Sequence, residues 1–321
     1  MSDGAAAQPS TVVRAVFFGS GAFAVPILDV FVDIPGVRVE AVVSAPDRPV
    51  GRKASLTPTP VAARARDLGL PLLQPVRVRR SEAVAALAAV APDVIVLADY
   101  GQFIPRVLLE LPPRGFLNLH PSALPRHRGA APIPATILAG DAESAVSLIV
   151  VTEEMDAGPI VAVEPLEVRP DDTAVTLEKR AAEAAARLLV RALPEWLAGR
   201  LQATPQALEG VTLTRPLRRE DGLLDPGRSA IELERQVRAY QPWPGSFIEN
   251  IKAGDERLIV WKAHVAPAEV GDVAGRFVAD FDGGLAFTTI DGSLGLEEVQ
   301  LAGGRRMSAA ELRRGRPGLT G

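Results

Sequence analysis

The segment Val12–Ser44 decides the class of fold. Val12–Phe18 is a continuous β-rich apolar run closed by Gly19-Ser20-Gly21, Val25–Val32 has helical spacing with Pro26 in its first turn, and Val37–Ser44 is apolar again. Strand, glycine turn, helix, strand is the opening of a doubly wound, mostly parallel sheet. The turn also imitates a dinucleotide fingerprint, with Glu40 in place of the ribose-binding acid. In that fingerprint the acid ends the second strand. Glu40 lies inside VRVEAVVS with four residues of strand still to come, so a nicotinamide dehydrogenase is set aside.

The pattern continues with a helix from about Val61 to Leu68 and a short strand at Pro71–Gln74. Ser81 then caps an alanine-rich helix ending before Pro92, followed by a strand at Asp93–Ala98 and a helix near Pro105–Leu111. Phe116–His120 is the next strand, Ala130–Ala139 a helix and Ser144–Thr152 a strand. Asp172 or Thr173 caps a long helix to about Trp196. Proline, glycine and polar residues then mark a linker over 201–216. Beyond it the character changes: a capping box, Ser229 with Glu232, opens a helix to Tyr240, and about five short strands separated by Gly and Asp predict a small barrel. Ser308 and Glu311 open a last helix before an Arg-rich tail. The expected division is a disordered tail over 1–11, an α/β domain over 12–200, the linker, and a β-barrel domain over 217–321, as suits a 321-residue chain.

Composition narrows the chemistry. The chain has no cysteine, which excludes thiolate catalysis and Cys-ligated metal sites. The polar start MSDGAAAQPS does not read as a signal peptide, and no apolar run reaches the roughly 18 residues a bilayer requires, so a cytoplasmic enzyme is expected. Net charge is −4, yet Asp47–Arg80 holds eight Arg/Lys against two Asp, a local +6 able to meet phosphates, or simply solvated.

The reacting groups are expected around Gly115–Gly140, GFLNLHPSALPRHRGAAPIPATILAG. Asn118 and His120 stand two apart in a strand and so share a face. In an open α/β sheet, ligands bind beyond the carboxyl ends of the strands. Asp156, in the turn Glu153–Gly158 after the next strand, is expected at the same edge, although an acid before glycine is also an ordinary surface turn. No G-x-S-x-G elbow exists, and His120 has no second histidine at ligand spacing, so neither a serine triad nor a metal is expected. Amide, imidazole and carboxylate together suit acyl transfer to an amine. Asn118 and protonated His120 would donate to the developing oxyanion, Asp156 would support the imidazolium, and His120 or Asp156 would relay the proton.

The string Asn118-x-His120-Pro-Ser122-x-Leu124-Pro125-x-x-Arg128-Gly129-Ala130-Ala131-Pro132-Ile133 closely resembles the folate-dependent formyltransferases, and RGAAPI in particular the branch acting on methionyl-tRNA. Pro46-Asp47-Arg48-Pro49-x-Gly51-Arg52, Gly140-Asp141-Ala142-Glu143, Met155-Asp156-Ala157-Gly158, Pro242-Trp243-Pro244-Gly245 and Met307-Ser308-Ala309 extend the likeness over about residues 12–312. The resemblance implies a Rossmann-like N-terminal domain binding 10-formyltetrahydrofolate, and a C-terminal OB-like barrel that helps hold initiator tRNA. It places Asn118, His120 and Asp156 on the family's catalytic trio. Ser122, Ala123, Leu124 and Pro125 fall on its folate-binding loop, and Arg48 and Arg52 on the loop that contacts the acceptor stem. It implies no metal, membrane or stable protein partner. The same chemistry on a sugar-nucleotide amine is the alternative. Gly19-Ser20-Gly21-Ala22-Phe23 departs from the family's usual Gly-Thr-Pro-Asp/Glu-Phe, and Ala54-Ser55 replaces lysine-rich sequence; His127 and Pro226 stand where aromatics are usual.

Overall fold

A computed structural model describes residues 12–50, 55–249, 256–267, 273–280 and 283–320. The chain forms two compact units that are not contiguous in sequence. The first comprises residues 1–130, 143–167 and 178–213, and the second 131–142, 168–177 and 214–321. The segment expected as a linker therefore divides: 201–213 belong to the first unit.

The first unit opens as expected, with β1 (Val13–Gly19), α1 (Val25–Val32) and β2 (Val37–Val43). In the proline-rich stretch that follows, β3 (Arg48–Val50) pairs antiparallel with β4 (Ser55–Thr57). Thr59 then caps α2 (Pro60–Asp67), its hydroxyl taking the Ala62 N–H at 3.1 Å, with proline at the first helical position where no N–H is needed. Next come β5 (Leu72–Leu73), α3 (Ser81–Val90), β6 (Val94–Ala98), α4 (Arg106–Leu109) and β7 (Phe116–His120). Ser81 is the first helical residue of α3 rather than its cap; Arg80 occupies the cap position without a side-chain bond. After β8 (Arg128–Gly129) and α5 (Pro132–Ala139), which belongs to the second unit, come β9 (Glu143–Val150), β10 (Ile160–Glu167) and α6 (Ala174–Leu197). The sequence reading passes over β10, one of the two edge strands.

The sheet order is β10-β9-β7-β6-β1-β2-β5. From β7 to β5 every neighbouring pair is parallel, whereas β9 is antiparallel to both β7 and β10. The central strands read as unbroken apolar runs because both faces are covered. Phe17 packs 5.8 Å from Phe31, while Phe18, which must point the other way, meets Tyr100 at 5.0 Å and Phe116 at 5.3 Å. Glu40 lies within β2, ion-paired with Arg38, in keeping with its exclusion as a ribose ligand.

The chain continues through β11 (Leu213–Thr214) to α7 (Ala230–Ala239), β12 (Ser246–Ile248), β13 (Leu258–Ala266), β14 (Phe277–Ala279), β15 (Leu285–Thr288), β16 (Ser293–Leu301), β17 (Arg306–Ser308) and α8 (Ala309–Gly315). Both expected capping boxes form, Ser229 with Glu232 and Ser308 with Glu311. Among the described residues of this unit, six antiparallel strands make one sheet, ordered β12-β13-β16-β15-β14 with β17 on β16. Leu233, Val237, Leu258, Val260, Leu285, Phe287, Leu294, Leu296, Val299 and Leu312 fill its core. Arginines of the basic C-terminal stretch, though largely exposed, have partners. Arg306 stacks 3.6 Å from the Trp261 ring centroid, Arg305 pairs with Glu311, Arg316 with Glu256, and Arg313 donates to the Gly283 carbonyl at 3.1 Å.

Candidate active site

Asn118 and His120 project from one face of β7, as the period of two requires, and both are buried, at 8% and 4% exposure. Asp156 meets them there. Its Oδ1 accepts from Asn118 Nδ2 at 3.2 Å, its Oδ2 accepts the Gly129 N–H at 2.8 Å, and His120 Nδ1 lies 3.6 Å from Oδ2. Hydrogen bonds to a charged group contribute about 1.5–3 kcal/mol each, so the carboxylate is well anchored.

The route by which Asp156 arrives differs from the strand-end expectation. Leu117 faces Val150 and His120 faces Ser147, so β9 ends beside the start of β7, at the opposite edge from the one anticipated. The turn must double back to reach Asn118. Two backbone features allow this. Gly158 leaves room where a Cβ would lie 1.7 Å from the Val150 carbonyl oxygen, and Asp156 adopts a left-handed backbone with φ +49. His127 is left-handed too, at φ +59. Such conformations cost residues with a Cβ on the order of 1 kcal/mol or more, and persist where surrounding contacts over-determine them.

His120 Nε2 lies 3.0 Å from the His127 carbonyl oxygen. A carbonyl only accepts, so Nε2 carries the proton and Nδ1, facing the carboxylate, is where the ring gains or loses its second one. Asn118 spends one amide hydrogen on Asp156 and retains another. Two donors and a carboxylate thus converge on one strand face, an arrangement able to stabilise an oxyanion and pass a proton.

The other expected contacts are placed as follows. The Ser122 hydroxyl donates to the Arg126 carbonyl at 2.7 Å, and its own carbonyl accepts from Ser147 Oγ at 2.8 Å. Ser122 and Leu124 are buried, whereas Ala123 and Pro125 are half-buried. Arg48 is exposed on β3; Arg52, with Ala54, lies outside the described residues. Of the other basic residues in Asp47–Arg80, Arg64 pairs with Asp29 at 2.6 Å and Arg66 with Asp47 at 3.0 Å, leaving less free charge than the count suggests.

Sequence reasoning missed three groups. Gln206 and Thr212, from the supposed linker, bond to the residues around Asp156 and His127. Asp99, φ +48, ends β6 beside β1, where the connections turn in opposite directions. It reaches solvent, but surrounding protein desolvates its carboxyl and pushes it up from the ordinary range, the Gly21 N–H acting the other way. A Cβ at Gly21 would sit 1.7 Å from Asp99 Oδ2. A side chain at position 21 would therefore have to displace the Asp99 carboxylate.

Among the described residues no helix is long and apolar enough to cross a membrane. Residues 13–193 match the formyl transferase family, and residues 216–317 match the formyl transferase C-terminal domain. The chain is 42% identical over 304 residues to a methionyl-tRNA formyltransferase of Thermus thermophilus, covering 94% of this chain and 96% of that protein. It is 40% identical over 303 residues to one from Roseiflexus castenholzii, with the same coverage. Solved structures share the fold. Methionyl-tRNA formyltransferase from Clostridium thermocellum superposes with a TM-score of 0.54 at 17% identity, covering 81% of this chain and 95% of that one. The sugar 3N-formyl transferase WlaRD gives 0.66 at 16% identity, covering 89% and 97%. With both domain models matched and these identities spanning nearly its whole length, the chain belongs to the formyl transferase family.

Proposed function

We propose that this protein transfers the formyl group of 10-formyltetrahydrofolate to the α-amine of methionine esterified to initiator tRNA, in the cytoplasm. The observation that carries this reading is the 40–42% identity with methionyl-tRNA formyltransferases over 94% of the chain. The chemistry follows from the groups on β7. The amine attacks the formyl carbon, forming a C–N bond and an oxyanion, to which the second Asn118 amide hydrogen and protonated His120 donate. Collapse breaks the bond to the folate nitrogen. The leaving nitrogen gains the proton of His120 Nδ1, the Asp156 carboxylate takes the one the amine gives up, and passing it on to His120 Nδ1 restores both groups. No covalent intermediate on the protein is required. Ser122, Ala123, Leu124 and Pro125 follow β7 in the chain after Pro121, and we assign them to the folate.

Incubation with 10-formyltetrahydrofolate and either methionyl-tRNA or an amino-sugar nucleotide decides the acceptor. Formyl-methionyl-tRNA is the expected product; formylation of the sugar nucleotide alone would overturn the reading. The tRNA contact is assigned to Arg48 and Arg52. Arg48 is exposed, with no ion pair among the described residues. Each phosphate contact contributes roughly one unit or less to the salt slope of binding. Arg48→Ala should therefore weaken tRNA binding and flatten that slope by such an amount, with folate affinity unchanged. A slope identical to wild type would move the contact off this hairpin.

A further inference from the structure

The carboxylate and the imidazole are each held through a neighbour, and both neighbours are gripped by one short stretch of chain. Gln206 Oε1 accepts from Arg128 Nε at 3.0 Å and Nη2 at 2.7 Å, while its Nε2 donates to the carbonyls of Asp156 at 2.7 Å and Gly158 at 2.8 Å. One carboxamide thus ties the Asp156 turn to the residue preceding Gly129, whose N–H holds the Asp156 carboxylate. Six residues on, the Thr212 hydroxyl accepts the His127 N–H at 2.7 Å and lies 3.3 Å from His127 Nδ1, and the Thr212 carbonyl accepts the Arg128 N–H at 3.0 Å. His127 supplies the carbonyl that faces His120 Nε2. The two residues gripped, Asp156 and His127, both carry a left-handed non-glycine backbone. Strained backbone of that kind requires external restraint.

We propose that Gln206 and Thr212 are positioning residues for formyl transfer: Gln206 sets the turn presenting the Asp156 carboxylate, and Thr212 sets the His127 carbonyl that receives the His120 Nε2 proton. This rests on the reading of Asn118, His120 and Asp156 as the reacting groups. Neither residue touches a reacting group through its own side chain. Their effect is on alignment, and a misplacement of about 1 Å can cost around 10²-fold in rate. The His127 carbonyl also fixes which imidazole nitrogen exchanges its proton. If that carbonyl is released, the pH dependence of turnover should change with the rate.

The test compares Thr212→Val, Thr212→Ser, Gln206→Glu and Asp156→Asn in one steady-state assay with thermal melts. Valine keeps the shape of threonine and removes the hydroxyl. Glutamate still accepts from Arg128 but sets a carboxylate against two carbonyl oxygens. Thr212→Val and Gln206→Glu should each lower kcat by roughly 10-fold to 10²-fold with KM for both substrates within about threefold. Thr212→Val should also displace the kcat–pH profile, and Thr212→Ser should restore both rate and profile. The proposal is overturned if Thr212→Val melts as wild type and keeps its rate and profile, or if serine fails to rescue it. Should Thr212→Val not fold, Gln206→Glu decides by the same split of kcat against KM. If Asp156→Asn itself turns over normally, the assignment of the reacting groups falls instead, whatever the other variants do.

Discussion

Alanine at Asn118 or at His120 is expected to lower kcat by about 10²-fold or more, with far smaller changes in KM. An oxyanion donor acts when charge develops, so its loss appears in the chemical step rather than in substrate binding. The geometry sharpens the expectation for Asn118. Its amide both holds Asp156 Oδ1 at 3.2 Å and keeps a second hydrogen for the reacting oxygen, so alanine removes a donor and loosens the carboxylate together. For His120, alanine removes the proposed proton carrier and leaves the His127 carbonyl without its ring partner. Both positions are buried, so circular dichroism and a melt must accompany the kinetics. Near-wild-type turnover by either folded variant would end the assignment.

Asp156→Asn should be almost as damaging, for a reason of valence. The carboxylate accepts with both oxygens, from Asn118 on one and from the Gly129 N–H on the other. A carboxamide has one acceptor oxygen, so the variant must turn an N–H toward one of two donors and also forfeits the charge beside the imidazole. A fall in kcat of about 10²-fold is expected. Donor affinity, measured by titration without the acceptor, should change little. Equal losses in binding and rate would make Asp156 a folate contact rather than a partner in proton transfer.

These expectations lean on a site whose parts were unequally legible. The limits of β7, Phe116–His120, coincide with the apolar run read from the sequence, and Asn118 and His120 share a face because the period of a strand leaves no alternative. The α7 cap was equally local, a hydroxyl and a carboxylate three residues apart. Strand β10 was hidden because an edge strand tolerates what a central one does not: Pro165 and the charged Glu164 and Glu167 interrupt its pattern. Asp156 does lie beside Asn118 and His120, but by a different path from the one expected, since nothing local states that β9 runs antiparallel. Gln206 and Thr212 carried no signal. A glutamine and a threonine among prolines and glycines look like any polar connection, and their partners lie 48 to 85 residues away.

That separation has a consequence for the order in which the protein is made. A ribosome delivers Asn118, His120 and Asp156 before residues 206–212, so these three residues emerge while the Asp156 turn and the His127 carbonyl still lack the hydrogen bonds from Gln206 and Thr212. A fragment ended at residue 200, the expected limit of the first domain, is arrested at that stage. It carries every group of the trio and neither Gln206 nor Thr212. The remainder in turn lacks residues 131–142 and 168–177 of the second unit. On the proposed positioning role of Gln206 and Thr212, a fragment extended through residue 212 should be active where one ended at residue 200 is not.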